Sequence, residues 1–225
     1  MKIADAHMEK DQFQQATKQF AKVLKRHPDH LPALLGYATA YERSSNQNQL
    51  EDVSIAYLHA AQVALQRGAY DLADAVMRRA IDVSKPMNKQ KRLGVLKQIF
   101  NYSHTDDIAA EISFEIGRLA TSNNDNLKEA RHSFHLANAL IVRKTGNSTA
   151  CHAPSSLEMG KIALDIDYDY KRAMVFIENA LAMDHRESHI EGLVVLGRAK
   201  AVRFLFIRIS NHFNQFFTSL TIYRV

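Results

Sequence analysis

A chain of 225 residues with 46% hydrophobic and 24% charged side chains can bury a sizeable core, which excludes wholesale disorder. Four Pro and eight Gly argue against a turn-rich all-β fold, and a single cysteine, Cys151, excludes an internal disulfide and a thiolate metal cage and favours a reducing compartment. The net charge of +5 belongs to the end of the chain: Arg198, Lys200, Arg203, Arg208 and Arg224 follow Gly197 with no acid among them, and without these five the bases equal the 24 acids.

Hydrophobic spacing predicts helices over about 10–26, 31–44, 50–66, 69–84, 88–102, 106–121, 126–143, 155–165, 169–184 and 189–208. No convincing strand alternation appears, although 213–225 reads either as a strand or as a frayed helix. The opening MKIADAHMEKDQF has no apolar signal segment. The greasy stretch 204–225 is interrupted by Arg208, Asn211, His212, Asn214 and Gln215, so no membrane span is expected. The expected location is cytoplasmic, with the nucleus as an alternative.

Within these helices one side-chain pattern recurs. Phe13, Ala16, Phe20 and Val23 step by three, four and three residues, and so do Tyr70, Ala73, Met77 and Ala80. Leu127, Ala130, Phe134 and Ala137 repeat it, as do Tyr170, Ala173, Ile177 and Ala180. The steps place each set on one helical face. The alternation of large and small asks for more than amphipathicity, because two backbones must approach closely where the side chain is tiny. Upstream lie Ala60-Ala61, Ile116-Gly117 and Met159-Gly160. Gly117 and Gly160 precede their alanines by 13 residues and Ala61 by 12. Turns are expected at 66–69, 121–125 and 165–167.

This combination resembles the tetratricopeptide repeat, a helix-turn-helix unit of about 34 residues. Its large-Gly pair is matched by Ile116-Gly117, Met159-Gly160 and Leu196-Gly197, its aromatic-x-x-Ala pair by the four sets, and its terminating proline by Pro28 and Pro86. The intervals depart from the family: Phe13 to Tyr70 and Tyr70 to Leu127 are 57 residues each, which leaves room for an extra helix at 31–44 and at 87–102. Leu127 to Tyr170 is 43, with a long connection at 144–156. The expected fold is therefore all-α, a right-handed α-solenoid of antiparallel helix pairs with degenerate repeats over 1–200, followed by an atypical basic and apolar tail at 201–225.

The resemblance implies a function and a site. In the family the first helix of each pair lines a concave groove, and the residue after the glycine points into it. Arg118, Lys161 and Arg198 stand there, with Glu115 and Glu158 two residues before their glycines. The three cations would form a basic ladder for an acidic partner segment or a terminal carboxylate; the alternative is that they pair with Glu115 and Glu158 on neighbouring turns. The family's chaperone-tail clamp needs Asn and Lys where Thr39 and Gln62 stand, so that activity is not implied. The expected function is a protein-interaction scaffold without cofactor or metal, and not an enzyme. Alternatives are an RNA-binding helical repeat, disfavoured by the charge-balanced body, and peripheral membrane contact through the tail.

Other residues invite chemistry and have plainer readings. His27-Pro28-Asp29 copies a J-domain tripeptide and Ala40-Tyr41-Glu42 looks familiar from that family, but the segment between is too short for that fold. His132 and His135 have a metal-ligand spacing without a local carboxylate. Cys151-His152 sits in a polar loop that supplies no rigid base. Asp165, Asp167 and Asp169 lack the Gly and Glu of a calcium loop. No G-x-x-x-x-G-K, G-x-G-x-x-G or G-x-S-x-G is present.

Overall fold

The computed structural model describes the backbone of residues 1–121, 126–183 and 187–222, and the side chains of these apart from 47, 187–189 and 209–222. Every regular element among the described residues is helical. In order they are α1 (Lys2–Glu9), α2 (Phe13–Arg26), α3 (Leu31–Ser44), a 3₁₀ turn (Gln47–Gln49), α4 (Leu50–Gln66), α5 (Tyr70–Ser84), α6 (Lys89–Tyr102), α7 (Asp106–Thr121), α8 (Leu127–Thr145), α9 (Ala153–Asp165), α10 (Tyr170–Met183) and α11 (Glu187–Ile222).

The helix expected over 10–26 begins at Phe13, and a further helix that the spacing does not show, α1, precedes it; Asp11 in a left-handed conformation (φ 55°) separates the two. The spacing missed α1 because its eight residues bury only Ala4. At the other end α11 runs unbroken past the expected end at 208 to Ile222, so of the two readings open for the tail, residues 213–222 take the helical one. Residues 223–225, and the turn expected at 122–125, lie outside the described residues.

Local chemistry sets several boundaries. His30 caps α3 by accepting from the Ala33 N–H at 3.2 Å, with Pro32 in the first turn where no donor is needed. Asn88 caps α6 by accepting from the Lys91 N–H at 3.0 Å. Pro28 and Pro86 each follow a helix end by two residues, where the chain cannot continue the helix. Between α4 and α5 the reversal falls at Gly68, whose φ of 72° a side chain would strain.

The chain forms two compact units, Met1–Ala130 and Arg131–Val225. In the first unit each helix from α1 to α7 packs on the next, and α4 and α5 also touch α6 and α7 respectively. Its main core runs from Leu31 in α3 to Ile112 in α7, and a smaller cluster joins Ala4, Ala16, Phe20, Ala33 and Ala40. In the second unit α10 packs on α9 and α11, and α11 also reaches α9, around Leu157, Ala173, Ile177 and Val195.

The recurring face is buried in all four helices. Ala16 and Phe20, Ala73 and Met77, Ala130 and Phe134, and Ala173 and Ile177 are at most 1% exposed. The leading residues Phe13, Tyr70, Leu127 and Tyr170 are the first residues of their helices, which explains why Tyr70 can remain 58% exposed. The small residues work as notches. A Cβ on Gly160 of α9 would lie 2.6 Å from Ile177 Cγ1 of α10, and one on Gly36 of α3 would run into the Phe20 ring of α2. Each bulky side chain so seated contributes about 1.5–3 kcal/mol by burial. Buried serines serve the same close approach: Ser84 and Ser113 donate to the carbonyls of Ile81 (2.6 Å) and Ala109 (2.8 Å) in their own helices. Gly197 differs, since nothing lies within 4 Å of a Cβ placed there.

The notch is testable. Gly160→Ala is expected to destabilise the second unit by about 1–3 kcal/mol, because Ile177 is enclosed and must shift. Gly197→Ala is expected to be neutral or slightly stabilising through helix propensity. Thermal denaturation of the two variants beside the parent reads the difference; equal melting would remove the notch from the account.

Candidate functional site

The expected ladder consists of side chains that all hold carboxylates. On α7, Arg118 donates to Glu115 Oε1 at 3.2 Å, and its guanidinium lies 5.9 Å from the centre of the Phe114 ring. Glu115 is not a solvated partner: its side chain is only 10% exposed, and its second oxygen is held by Arg92 of α6, equally enclosed. One carboxylate thus bridges a buried and an exposed guanidinium. Arg92 Nε has no hydrogen-bond partner, so the pairing with Glu115 is what compensates this buried cation.

In the second unit Lys161 of α9 lies 2.7 Å from Glu158 on its own helix and 2.6 Å from Glu191 on α11. Burial pulls its ammonium down, but hydrogen bonds to the two carboxylates outweigh this and leave its pKa above the ordinary lysine value. Arg198 of α11 reaches back to Asp165 of α9 at 2.7 Å. Both cations therefore tie α9 to α11. Arg118 and Arg198 keep 55% of their side-chain surface, whereas Lys161 keeps 25%. Glu158 is as enclosed as Lys161, at 26%.

Spacing gave no sign of a second cluster, which centres on Glu42 of α3. Tyr57 of α4 donates to Glu42 Oε2 at 2.6 Å and lies 3.5 Å from Thr39 Oγ1. Arg79 of α5 holds both Glu42 oxygens, with Nε 3.1 Å from Oε2. Burial first, then its hydrogen bond to Glu42, raises the Tyr57 hydroxyl; Arg79 is raised chiefly by its own hydrogen bonds to Glu42. The only sequence signal was Ala40-Tyr41-Glu42, which resembled another family's motif and not a three-helix junction.

The remaining candidates are committed to structure. Asp165 binds Arg198, Asp167 binds Arg131 of α8, and Asp169 accepts from the Arg172 N–H at 3.0 Å at the start of α10. Three acids with three separate partners do not converge on a cation. No group of three metal-ligating side chains exists among the described residues. The Cys151 thiol is pushed up by burial and donates to the Asn179 carbonyl at 3.6 Å. The neighbouring His152 ring lies 2.8 Å from Ser155 Oγ. His135 sits edge-on to Phe176 at 6.4 Å; burial, then Arg172, His132 and Arg131, lowers its pKa. His27, Pro28 and Asp29 lie exposed between α2 and α3, where the Asp29 carbonyl accepts from Arg67.

No family model matches the chain, and no curated protein is similar to it. Among solved structures it is similar to the C-terminal part of a TPR repeat-containing protein from Cytophaga hutchinsonii, at 16% identity over 85% of this chain and 98% of that one. The TM-score is 0.23, below that of a shared fold.

Two outcomes follow from these pairings. Glu115→Ala strands the Arg92 guanidinium and is expected to cost about 3–5 kcal/mol, while Arg92→Met with Glu115→Leu recovers most of it; chemical denaturation of the three proteins measures both. His135 has a folded pKa below its ordinary 6.5, so the unfolded chain binds its proton first. Its contribution is complete above that value and is lost as pH falls through the folded pKa. His135→Gln is expected to flatten stability against pH just below 6.5, read by melts at matched ionic strength.

Proposed function

We propose that this chain is a tetratricopeptide-type helical scaffold that binds a segment of a partner protein and carries no reaction of its own. The observation that supports it is repetition: the same small-and-large face is buried in α2, α5, α8 and α10, and in two places a glycine seats the bulky residue of the adjoining helix. Repeated close packing makes each unit rigid within itself, and a rigid surface loses little conformational entropy when a ligand settles on it. The helices that interrupt the repeat interval, α3 and α6, are then insertions packed into the same frame.

In this reading the helix pairs are antiparallel and the superhelix right-handed, and Arg118 in the first unit and Arg198 in the second are each a contact for a carboxylate of the partner. Both are half exposed; the Arg198–Asp165 pair is open on both sides, so it is worth about 0–1 kcal/mol and readily exchanged, and Glu115 keeps its buried partner Arg92 when Arg118 turns to the ligand. Lys161 is assigned a different part. Held between Glu158 and Glu191, it fixes α9 against α11 and does not meet the ligand.

Co-purification from native cells with the parent chain and with Arg118→Glu plus Arg198→Glu tests the reading. The expected result is a common set of protein partners, reduced about tenfold or more by the double reversal. Partners retained in full would remove these two arginines from the binding surface, and turnover by the purified chain in a hydrolase and transferase screen would overturn the scaffold reading itself.

A further inference from the structure

The cations of the expected ladder all hold carboxylates, whereas a second set of cations does not. Helix α2, FQQATKQFAKVLKR, contains four cations and no acid. Its buried face carries Ala16 and Phe20. Lys18, Lys22 and Lys25 step by four and three residues along the opposite face, with Arg26 beside them, and all four are exposed. At 1.5 Å per residue the three lysines span about 10 Å of helix. None of the four has an ion pair or hydrogen bond among the described residues, whereas Arg78, Arg79, Lys85, Lys91, Lys97 and Arg131 each hold a carboxylate.

The stripe borders two adjoining hollows on the α1–α2 surface. One, of about 440 Å³, is lined by His7, Gln15, Lys18 and Lys25. The other, of about 500 Å³, is lined by Lys2, Ile3, Val23 and Arg26. Gln19 and Lys22 belong to both, and no carboxylate lines either. Asp5 and Glu9 of α1 are exposed and line neither hollow. The surface thus offers unpaired positive charge, amide donors from glutamine, and an apolar spot where Ile3 is 66% exposed.

Chemistry selects among polyanions. Single-stranded nucleic acid is held by aromatic rings on which bases stack. No ring but those of His7 and His27 lines the hollows, and the Phe13 ring at the start of α2 is covered by the Arg43 guanidinium at 5.3 Å. Proteins that grip a duplex commonly neutralise about six to ten phosphates over a longer track. Membrane-surface helices turn a broad apolar face toward lipid, and the apolar face of α2 is buried in its own core. A short acidic polypeptide needs only a few point charges and hydrogen-bond donors, with room for one apolar residue.

We propose that the α1–α2 face, centred on Lys18, Lys22 and Lys25, is a docking site for an acidic segment of a partner protein that sets one bulky apolar side chain against Ile3 and Val23. The surface is separate from Arg118 and Arg198, and the assignment does not rest on the scaffold reading.

Fluorescence anisotropy with the full chain tests it, using a labelled oligoglutamate peptide with one central leucine. Binding is expected at low salt, weakening as salt rises. Lys18→Glu, Lys22→Glu and Lys25→Glu together lower affinity about tenfold or more, and the milder Lys→Gln set lowers it less. A charge-matched control, Lys85→Glu with Lys89→Glu and Lys97→Glu, keeps the parent affinity. Circular dichroism checks that every variant is helical. Equal loss in the stripe and control sets, no binding at low salt, or loss with Arg118→Glu plus Arg198→Glu in place of the stripe set would overturn the site. Tighter binding of duplex RNA, or of phosphatidylcholine vesicles containing phosphatidylserine, would overturn the assigned partner.

Discussion

The structure depends on how closely two helix backbones can approach. Where Gly160 meets Ile177, and Gly36 meets Phe20, the absence of a Cβ admits a bulky side chain from the adjoining helix. The alanines of the recurring face, fully buried at 16, 73, 130 and 173, keep their helices' backbones near enough to their neighbours for dispersion to act over the contact. Buried serines fit the same spaces because their hydroxyls are satisfied by the carbonyls of their own helices. Hydrophobic burial alone would hold such helices together; it is the notches that fix which residues face each other.

Charge has a second, separable part. Carboxylates join helices that are not always neighbours in sequence: Glu115 links α7 to α6, Glu191 and Asp165 link α11 to α9, and Glu42 joins α3 to α4 and α5. Burial separates their worth. Arg92–Glu115 lies where an unpaired charge is costly, while Arg198–Asp165 is open to solvent and readily exchanged. Cations free of such ties gather on α2, away from the main core.

Much of the frame was legible because its signal is periodic. Ten helices, the buried faces of four and the surplus segments at α3 and α6 follow from spacings of three and four residues and from intervals that exceed a repeat. What failed did so for physical reasons. Helix α1 buries one alanine and leaves no period to read. The tail at 213–222 reads as either strand or helix because alternating apolar residues fit either period over so short a run, and the chain continues there as helix. The predicted site was legible only as residue types: Arg118, Lys161 and Arg198 are present as expected, but their carboxylate partners on other helices, Glu191 and Asp165, stand 30 and 33 residues away and have no local signature. The basic stripe was visible in FQQATKQFAKVLKR, and a balance struck over the whole body concealed it, since distant acids cancel a sum without neutralising a surface.

Glu42 makes the segment that breaks the regular interval a support for the helices that follow it. Helix α3 occupies residues beyond the regular interval, and Glu42 on it accepts from the Tyr57 hydroxyl of α4 and the Arg79 guanidinium of α5. Excising α3 would leave both donors without their acceptor and uncover the surface that Leu34 and Ala38 bury. A segment that supplies the acceptor for its neighbours is not optional to them: Tyr57 and Arg79 make α3 a requirement of α4 and α5.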